Sequence, residues 1–315
     1  MEATATGSFI TVNIDGKPIE KLIEVVSNGI GTLYRPRKIR KEADAQAYAI
    51  KVIENAKAVA GSESMLIEAE TIERIGQRVV AQEIRRQNNI DSVVESAAED
   101  LKGKQVSDEP VSEDWASRFF GIVQDISQEE MKVIWSKILA KEIETPSSFS
   151  LRTLDTLRNL SAEEAGLFEK VAPLVLRQND FFIYNDMNVL NKYGIHYVEI
   201  AQLTEAGLLQ SGDFVTKTFT TRQDRDAVTA IINGKYIILL QLPKGTNDVD
   251  VPIILLTQSG RELLGLIEDI SFNLDYIKAF ASMVKKKNPK AVLQYAEIID
   301  VSSEKVHYKA PAIDL

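Results

Sequence analysis

A mainly α-helical protein with a C-terminal α+β part is the fold class this sequence predicts, on three observations. Between Glu42 and Leu101 there is no proline and alanine is frequent, the texture of a long helical segment. Two Ser-x-x-Glu boxes, Ser127 with Glu130 and Ser161 with Glu164, open helices in the middle of the chain. After Pro173, β-prone runs alternate with turn residues, and Asn233-Gly234 stands between two of them.

The elements divide the chain into four expected parts. In the first, residues 1–41, a β-prone run from Phe9 to Asn13 is closed by Asp15-Gly16, and Pro18 suits the first turn of the helix that follows. Ile19, Leu22, Ile23, Val26 and Ile30 share one face of that helix; Asn28-Gly29 and Gly31 end it, and a basic segment follows. The second part, 42–104, is the long Ala-rich segment, with Ile72, Ile75, Val79, Ile84 and Ile90 in its second half. Glycine costs about 1 kcal/mol relative to alanine inside a helix, so a break is expected at Gly61. An extended element of this kind cannot bury its apolar stripe alone. It must fold back on itself or pack against a second copy of the chain.

A linker rich in Ser, Asp, Glu and Pro leads to the third part, 112–178, a central helical bundle. Trp115, Phe119, Phe120, Trp135 and Leu139 recur there at helical spacing, followed by Leu151, Leu154, Leu157 and Leu160, then Leu167, Phe168 and Val171. The fourth part, 179–315, opens with a strand at Phe181–Tyr184 and an amphipathic helix from His196 to Leu209. A hairpin with a type-I′ turn at Asn233-Gly234, a strand at Ile253–Leu256, a helix capped by Thr257 or Ser259, and a last helix from Phe272 to Lys285 follow. Tyr295–Val301 and Val306–Tyr308 pair at the tail. The order of helix, hairpin and closing helix is that of a winged-helix-like module.

Composition narrows the function classes. With 37 basic against 46 acidic residues and a net charge of −9, the 315-residue chain as a whole repels nucleic acid and anionic membrane, so such a partner must be met by a local basic patch. Zero cysteines exclude disulfides, thiolate zinc sites and cysteine nucleophiles, and only His196 and His307 remain as imidazoles. No cofactor or metal is therefore expected. No run reaches the roughly 18 apolar residues of a membrane span, and Met1–Phe9 lacks the pattern of a secretory signal, so a cytoplasmic location is expected.

Few residues invite chemistry. Gly29-Ile30-Gly31 lacks the third glycine of a dinucleotide fingerprint, and neither a P-loop nor Gly-x-Ser-x-Gly occurs. The pairs Glu129-Glu130 and Glu163-Glu164 stand in first helical turns, where negative charge suits the dipole. Asn247-Asp248-Val249-Asp250 lacks the glycine and distal glutamate of a calcium loop and reads as a turn.

Basic clusters give two candidate surfaces. Arg35, Arg37, Lys38, Arg40 and Lys41 gather where a helix dipole disfavours cations, which makes them a patch for an anion, lipid headgroups or a partner. Lys217, Arg222, Arg225 and Lys235 lie on the hairpin side of the last part, a surface for a nucleic acid or a protein partner. The preceding helix carries Glu199 and Glu205 and no cation, so protein docking fits it better than DNA reading.

Three stretches resemble a known family: Gly29 to Arg37 with Lys41 to Ala45; Arg85 to Ile90; and the run from Val111 to Leu154 that holds Trp115, Phe119, Phe120, Trp135, Glu142, Pro146 and Arg152. Together they resemble the uncharacterised bacterial DUF2806 family, itself similar to the abortive-infection alpha proteins. The resemblance implies no catalytic residue and suggests a setting in defence against phage. The expected function is that of a non-enzymatic, self-associating sensor or scaffold, a homo-oligomer through the Ala-rich helices with a protein partner on the C-terminal module. A winged-helix-like nucleic-acid-binding regulator and a membrane-acting abortive-infection effector are the alternatives.

Overall fold

The computed structural model describes residues 16–32, 34, 63–210, 212, 215–301 and 306–315. The expected strand at Phe9–Asn13, the basic residues Arg35, Arg37, Lys38, Arg40 and Lys41, and the stretch from Glu42 to Ser62 with its break at Gly61 lie outside the described residues. The chain divides into two compact units, 1–151 and 152–315.

The first unit is helical. Helix α1 (Lys17–Ile30) starts with Pro18 in its first turn and ends at Gly31 in the left-handed conformation, φ 72°. Its buried residues are Leu22, Val25 and Val26. Gly29 serves packing rather than termination. A Cβ there would lie 2.3 Å from the Phe120 ring and 2.8 Å from the Ala116 carbonyl oxygen, so helix α3 (Glu113–Val123) approaches α1 at a point where no side chain fits.

Helix α2 (Glu63–Asp100) is the described part of the long segment. At its C-terminal end Ile90, Val93, Val94 and Ala97, together with Leu101 just beyond, are buried, and the helix packs there against α1, α3 and α4 (Glu129–Glu144). Polar ties fix the register: the Asn89 amide donates to the Gln124 carbonyl at 2.8 Å, and Arg86 pairs with Asp125 at 2.9 Å. The hydroxyl of Tyr34 donates to the buried Asp91 at 3.1 Å.

Two helix starts in this unit differ in how they are capped. Ser112 caps α3, two residues before the Asp114 that precedes Trp115 in the sequence, its hydroxyl accepting from the Trp115 amide at 3.5 Å. Helix α4 begins after Gln128 without a side-chain cap, so the expected box of Ser127 with Glu130 does not form. Residues 101–112 are tied down on both sides: the Ser107 amide donates to the Glu144 carbonyl at 3.1 Å, and Lys21 donates to the Ser107 carbonyl at 2.8 Å.

The second unit is α+β. Helix α5 (Leu151–Asn159) leads into α6 (Ala162–Val171), where the predicted box of Ser161 and Glu164 forms in full. The Ser161 amide and hydroxyl both donate to Glu164, which holds the carboxyl below its ordinary value of 4.5. A depressed folded-state value stabilises the fold above pH 4.5, and the contribution is lost as pH falls through and below it. Ser161→Ala should therefore cost about 1 kcal/mol in urea titrations at neutral pH, and the difference from wild type should shrink below the carboxyl's titration range.

Among the described residues nine strands make one antiparallel sheet: β1 (Val175–Arg177), β2 (Phe181–Tyr184), β3 (Thr216–Phe219), β4 (Ala227–Asn233), β5 (Tyr236–Leu242), β6 (Val249–Leu255), β7 (Val292–Val301), β8 (Val306–Tyr308) and β9 (Ile313–Asp314). Their order is β3-β6-β2-β1-β4-β5-β7-β8, with β9 also on β7. Between strands run α7 (Met187–Leu190), α8 (Tyr197–Glu205), α9 (Gln258–Leu264) and α10 (Leu274–Lys287). Helix α8 stops short of the predicted Leu209. Gly207 turns left-handed at φ 76°, and the amides of Leu208 and Leu209 both return to the Leu203 carbonyl.

The hairpin β4–β5 forms where Asn233-Gly234 predicts one, with a different turn. Asn233 pairs with Tyr236, so the two loop residues are Gly234 and Lys235, and only Gly234 of the pair has a positive φ, 54°. A type-I′ turn needs positive φ at both central positions. Asn233 instead lies in the strand, fully buried, its amide donating to the carbonyls of Pro173 and Val175 at 2.9 Å each. The hairpin is also not free-standing: β1 pairs with β4 on one side and β7 with β5 on the other.

Candidate functional site

Strand β3, the loop after it and the start of β4 carry most of an open, polar cleft of about 500 Å³ in the second unit. Gln178 and Asn179, in the turn between β1 and β2, complete it. Of the four cations singled out on the hairpin side, Lys217, Arg222 and Arg225 all line this cleft. Lys235 does not. It sits in the β4–β5 turn and pairs with Asp269 at 2.6 Å, so the expected grouping of four is a group of three.

The segment that presents these cations is pinned at both ends. Thr218 donates to Asp250 at 2.5 Å, and the amide and hydroxyl of Thr221 donate to Asp248 at 2.7 and 2.9 Å. The Asn247–Asp250 stretch thus spends its carboxylates on β3 and the loop after it. The Gly245 amide donates to the Arg222 carbonyl at 2.9 Å. At the far end Asp226 accepts from the Lys244 amide at 2.9 Å and from Gln241 at 2.8 Å, and these two bonds hold its carboxyl below the ordinary range.

The three cations differ in environment. Lys217 is mostly covered, its side chain 14% exposed, with its ammonium 5.4 Å from the centre of the Phe182 ring and 3.7 Å from Asp180. Arg225 is exposed and 3.9 Å from Asp224, itself exposed. Arg222 is exposed and has no carboxylate partner among the described residues. Exposed pairs at such distances contribute little, about 0–1 kcal/mol, so both guanidinium groups are available to an anion.

The remaining predicted positions lie apart from the cleft, and each has a structural role or an exposed place. Trp115 stacks on Phe119 at 4.9 Å and 16°, and Phe119 meets Phe120 and Trp135 edge-on at 5.0 and 5.4 Å. All four rings are buried core. Glu142 is 2% exposed and accepts from the backbone amides of Ser147 at 2.7 Å and Phe149 at 3.0 Å, which fixes the loop after α4 around Pro146. Arg152 is exposed at the start of α5. His196 precedes α8, exposed, its ring nitrogen 3.0 Å from Asn191, and His307 is exposed on β8.

One cluster had no signal in the sequence. The Thr153 hydroxyl donates to Glu262 at 2.5 Å and contacts Ser259 at 3.2 Å, while Thr156 donates to Ser259 at 3.3 Å. The Glu262 carboxylate also accepts from the Gln258 amide at 2.8 Å, and the arrangement joins α5 to α9. Among the described residues no group of three or more His, Asp or Glu side chains can hold a metal ion, and no helix is long and apolar enough to cross a membrane.

Fold and cleft together define an α+β protein with a helical N-terminal unit and an antiparallel sheet that presents a cationic, polar recess. Residues 73–281 match the family model described as protein of unknown function (DUF2806), and the chain belongs to that family. No curated protein and no solved structure matches it.

Proposed function

We propose that this chain is a non-enzymatic, self-associating sensor or scaffold that assembles through helix α2. One observation carries the reading. The face of α2 that buries Ile90, Val93, Ala97 and Leu101 continues toward the N-terminus through Ile75, Gly76 and Val79, since these positions recur within one apolar stripe at 100° per residue. Along that continuation Ile75 is 46% and Val79 48% exposed. An isologous pairing with a second copy supplies an identical stripe, and Gly76 lets two backbones approach closely at its centre. Ile84, 42% exposed, lies off this stripe and takes no part.

Light scattering on size-exclusion fractions tests the reading. The wild type is expected to elute as an oligomer, and Ile75→Glu with Val79→Glu to elute as a monomer with an unchanged circular dichroism spectrum. A wild type that stays monomeric at high concentration discards the proposal. The setting proposed with it, defence against phage, rests on the resemblance to abortive-infection alpha proteins. Plaque counts on cells with and without the gene measure it, and equal counts remove it.

The winged-helix-like regulator has less support, because the hairpin that would be its free wing is paired with β7 along β5 and with β1 at Ile232 of β4, and α8 carries no cation. A membrane effector working through the amphipathic helix has less still. Leu22, Val25 and Val26 of that helix are already buried within the first unit.

A further inference from the structure

We infer that the cleft between β3 and β4 is a binding site for a small ligand bearing phosphate groups, a nucleotide or a compound of similar size. The site is independent of self-association, since all its residues lie within the second unit.

Charge is the first argument. Among the lining residues are Lys217, Arg222 and Arg225 against the single acid Asp226, in a protein whose net charge is −9. A local excess of cations on an acidic chain is the opposite of what solubility alone requires. Asp226 is held away from ligand duty, because the Lys244 amide and Gln241 already occupy its oxygens.

The chemistry of the lining is the second. Two guanidinium forks and an ammonium supply charge-assisted donors that match the oxygens of a phosphate, and Arg in particular bonds such groups bidentately. Gln178, Asn179, Thr220 and Thr229 add neutral donors and acceptors suited to a sugar or a base edge. Asp180 and Asp224 are the competing anions, at 3.7 Å from Lys217 and 3.9 Å from Arg225. Both are more than half exposed, and a phosphate in the cleft would outcompete them with more charge and better geometry.

Size and stacking choose between a small ligand and a nucleic acid strand. The cavity of about 500 Å³ lies in the range of small-molecule sites, about 300–1,000 Å³. Strand binders stack successive bases on exposed aromatic rings. The lining aromatic here, Phe219, is 4% exposed and faces the core, in edge contact with Phe280. Preorganisation completes the case: the bonds from Thr218, Thr221, Gly245, Lys244 and Gln241 fix the cationic segment before any ligand arrives, which lowers the ordering cost of binding.

Calorimetric titration of the full chain with inorganic phosphate, pyrophosphate, ATP and a single-stranded oligonucleotide tests the site. ATP or pyrophosphate is expected to bind, with affinity falling at least about tenfold in Arg222→Ala with Arg225→Ala and also in Lys217→Ala, a loss of about 1.4 kcal/mol. Lys235→Ala, outside the cleft, is expected to leave binding unchanged. Arg222 and Arg225 are exposed, so their removal should not disturb folding, and thermal melts of the variants check this. Three outcomes overturn the inference: no binding by any of the small probes, an equal loss in the Lys235 variant, or binding by the oligonucleotide alone.

Discussion

Phe119→Ala should lower the stability of the helical unit by about 3–5 kcal/mol, the cost of truncating a fully buried aromatic ring. Phe119 is 0% exposed and lies at the centre of the cluster, stacked on Trp115 and in edge contact with Phe120 and Trp135. Its removal leaves a cavity between α3 and α4 and deletes aromatic pairs worth about 0.5–1.5 kcal/mol each beyond burial. The chain has two tryptophans, Trp115 and Trp135, and both touch Phe119, so their fluorescence reports the urea transition of this unit directly. Phe119→Leu, which keeps most of the volume, should lose less than half as much. A shift below about 1 kcal/mol in the alanine variant would show that the cluster does not hold the unit together.

Glu142→Ala should cost about 1–3 kcal/mol, because it leaves the buried Phe149 amide without its acceptor, the cost of one buried orphan, and releases the amide of the exposed Ser147 to water. The carboxylate holds the amides of Ser147 and Phe149 across a loop in which Ser147 adopts a left-handed φ of 68°. That conformation is uncommon for a residue with a Cβ, so the loop needs such a restraint. A second tie comes from the Trp115 indole, which donates to the Phe149 carbonyl at 2.8 Å. Glu142→Gln keeps one oxygen as acceptor and presents an amide nitrogen where the other stood, so about half the loss is expected. Amide hydrogen exchange at Ser147 and Phe149 provides the specific readout: it should accelerate in both variants, and unchanged protection would refute the role.

Local rules located most elements and misjudged how several are used. The box of Ser161 and Glu164 works as its spacing requires, because a capping box is closed within four residues. Ser127 and Glu130 have the same spacing and form no box, because α4 begins one residue later and the frame of the box is lost. Asn233-Gly234 predicts a hairpin correctly and the turn type incorrectly. The buried carbonyls of Pro173 and Val175 claim the asparagine side chain, and the turn slides by one residue onto Gly234 and Lys235. Gly29 reads as a helix stop, yet it is the place where α3 crosses α1.

The candidate cleft was half legible. Lys217, Arg222 and Arg225 stand within nine residues of one another and draw the eye as charges. Gln178 and Asn179 come from a turn far earlier in the chain, and nothing local marks them. Lys235 looked like a fourth member by its position in sequence, and the pairing of β4 with β5 carries it to the opposite end of the hairpin.

From the order of residues alone came the helical character of the first half, the strand-rich character of the second, and the aromatic positions that become the core, because propensity, periodicity and capping act over a few residues. Which face of α2 is covered, where the three cations converge, and what Glu142 holds were decided only when distant segments met. Burial and hydrogen bonding between residues far apart in the chain depend on how the strands register and the helices cross, and neither is written in any short stretch of sequence.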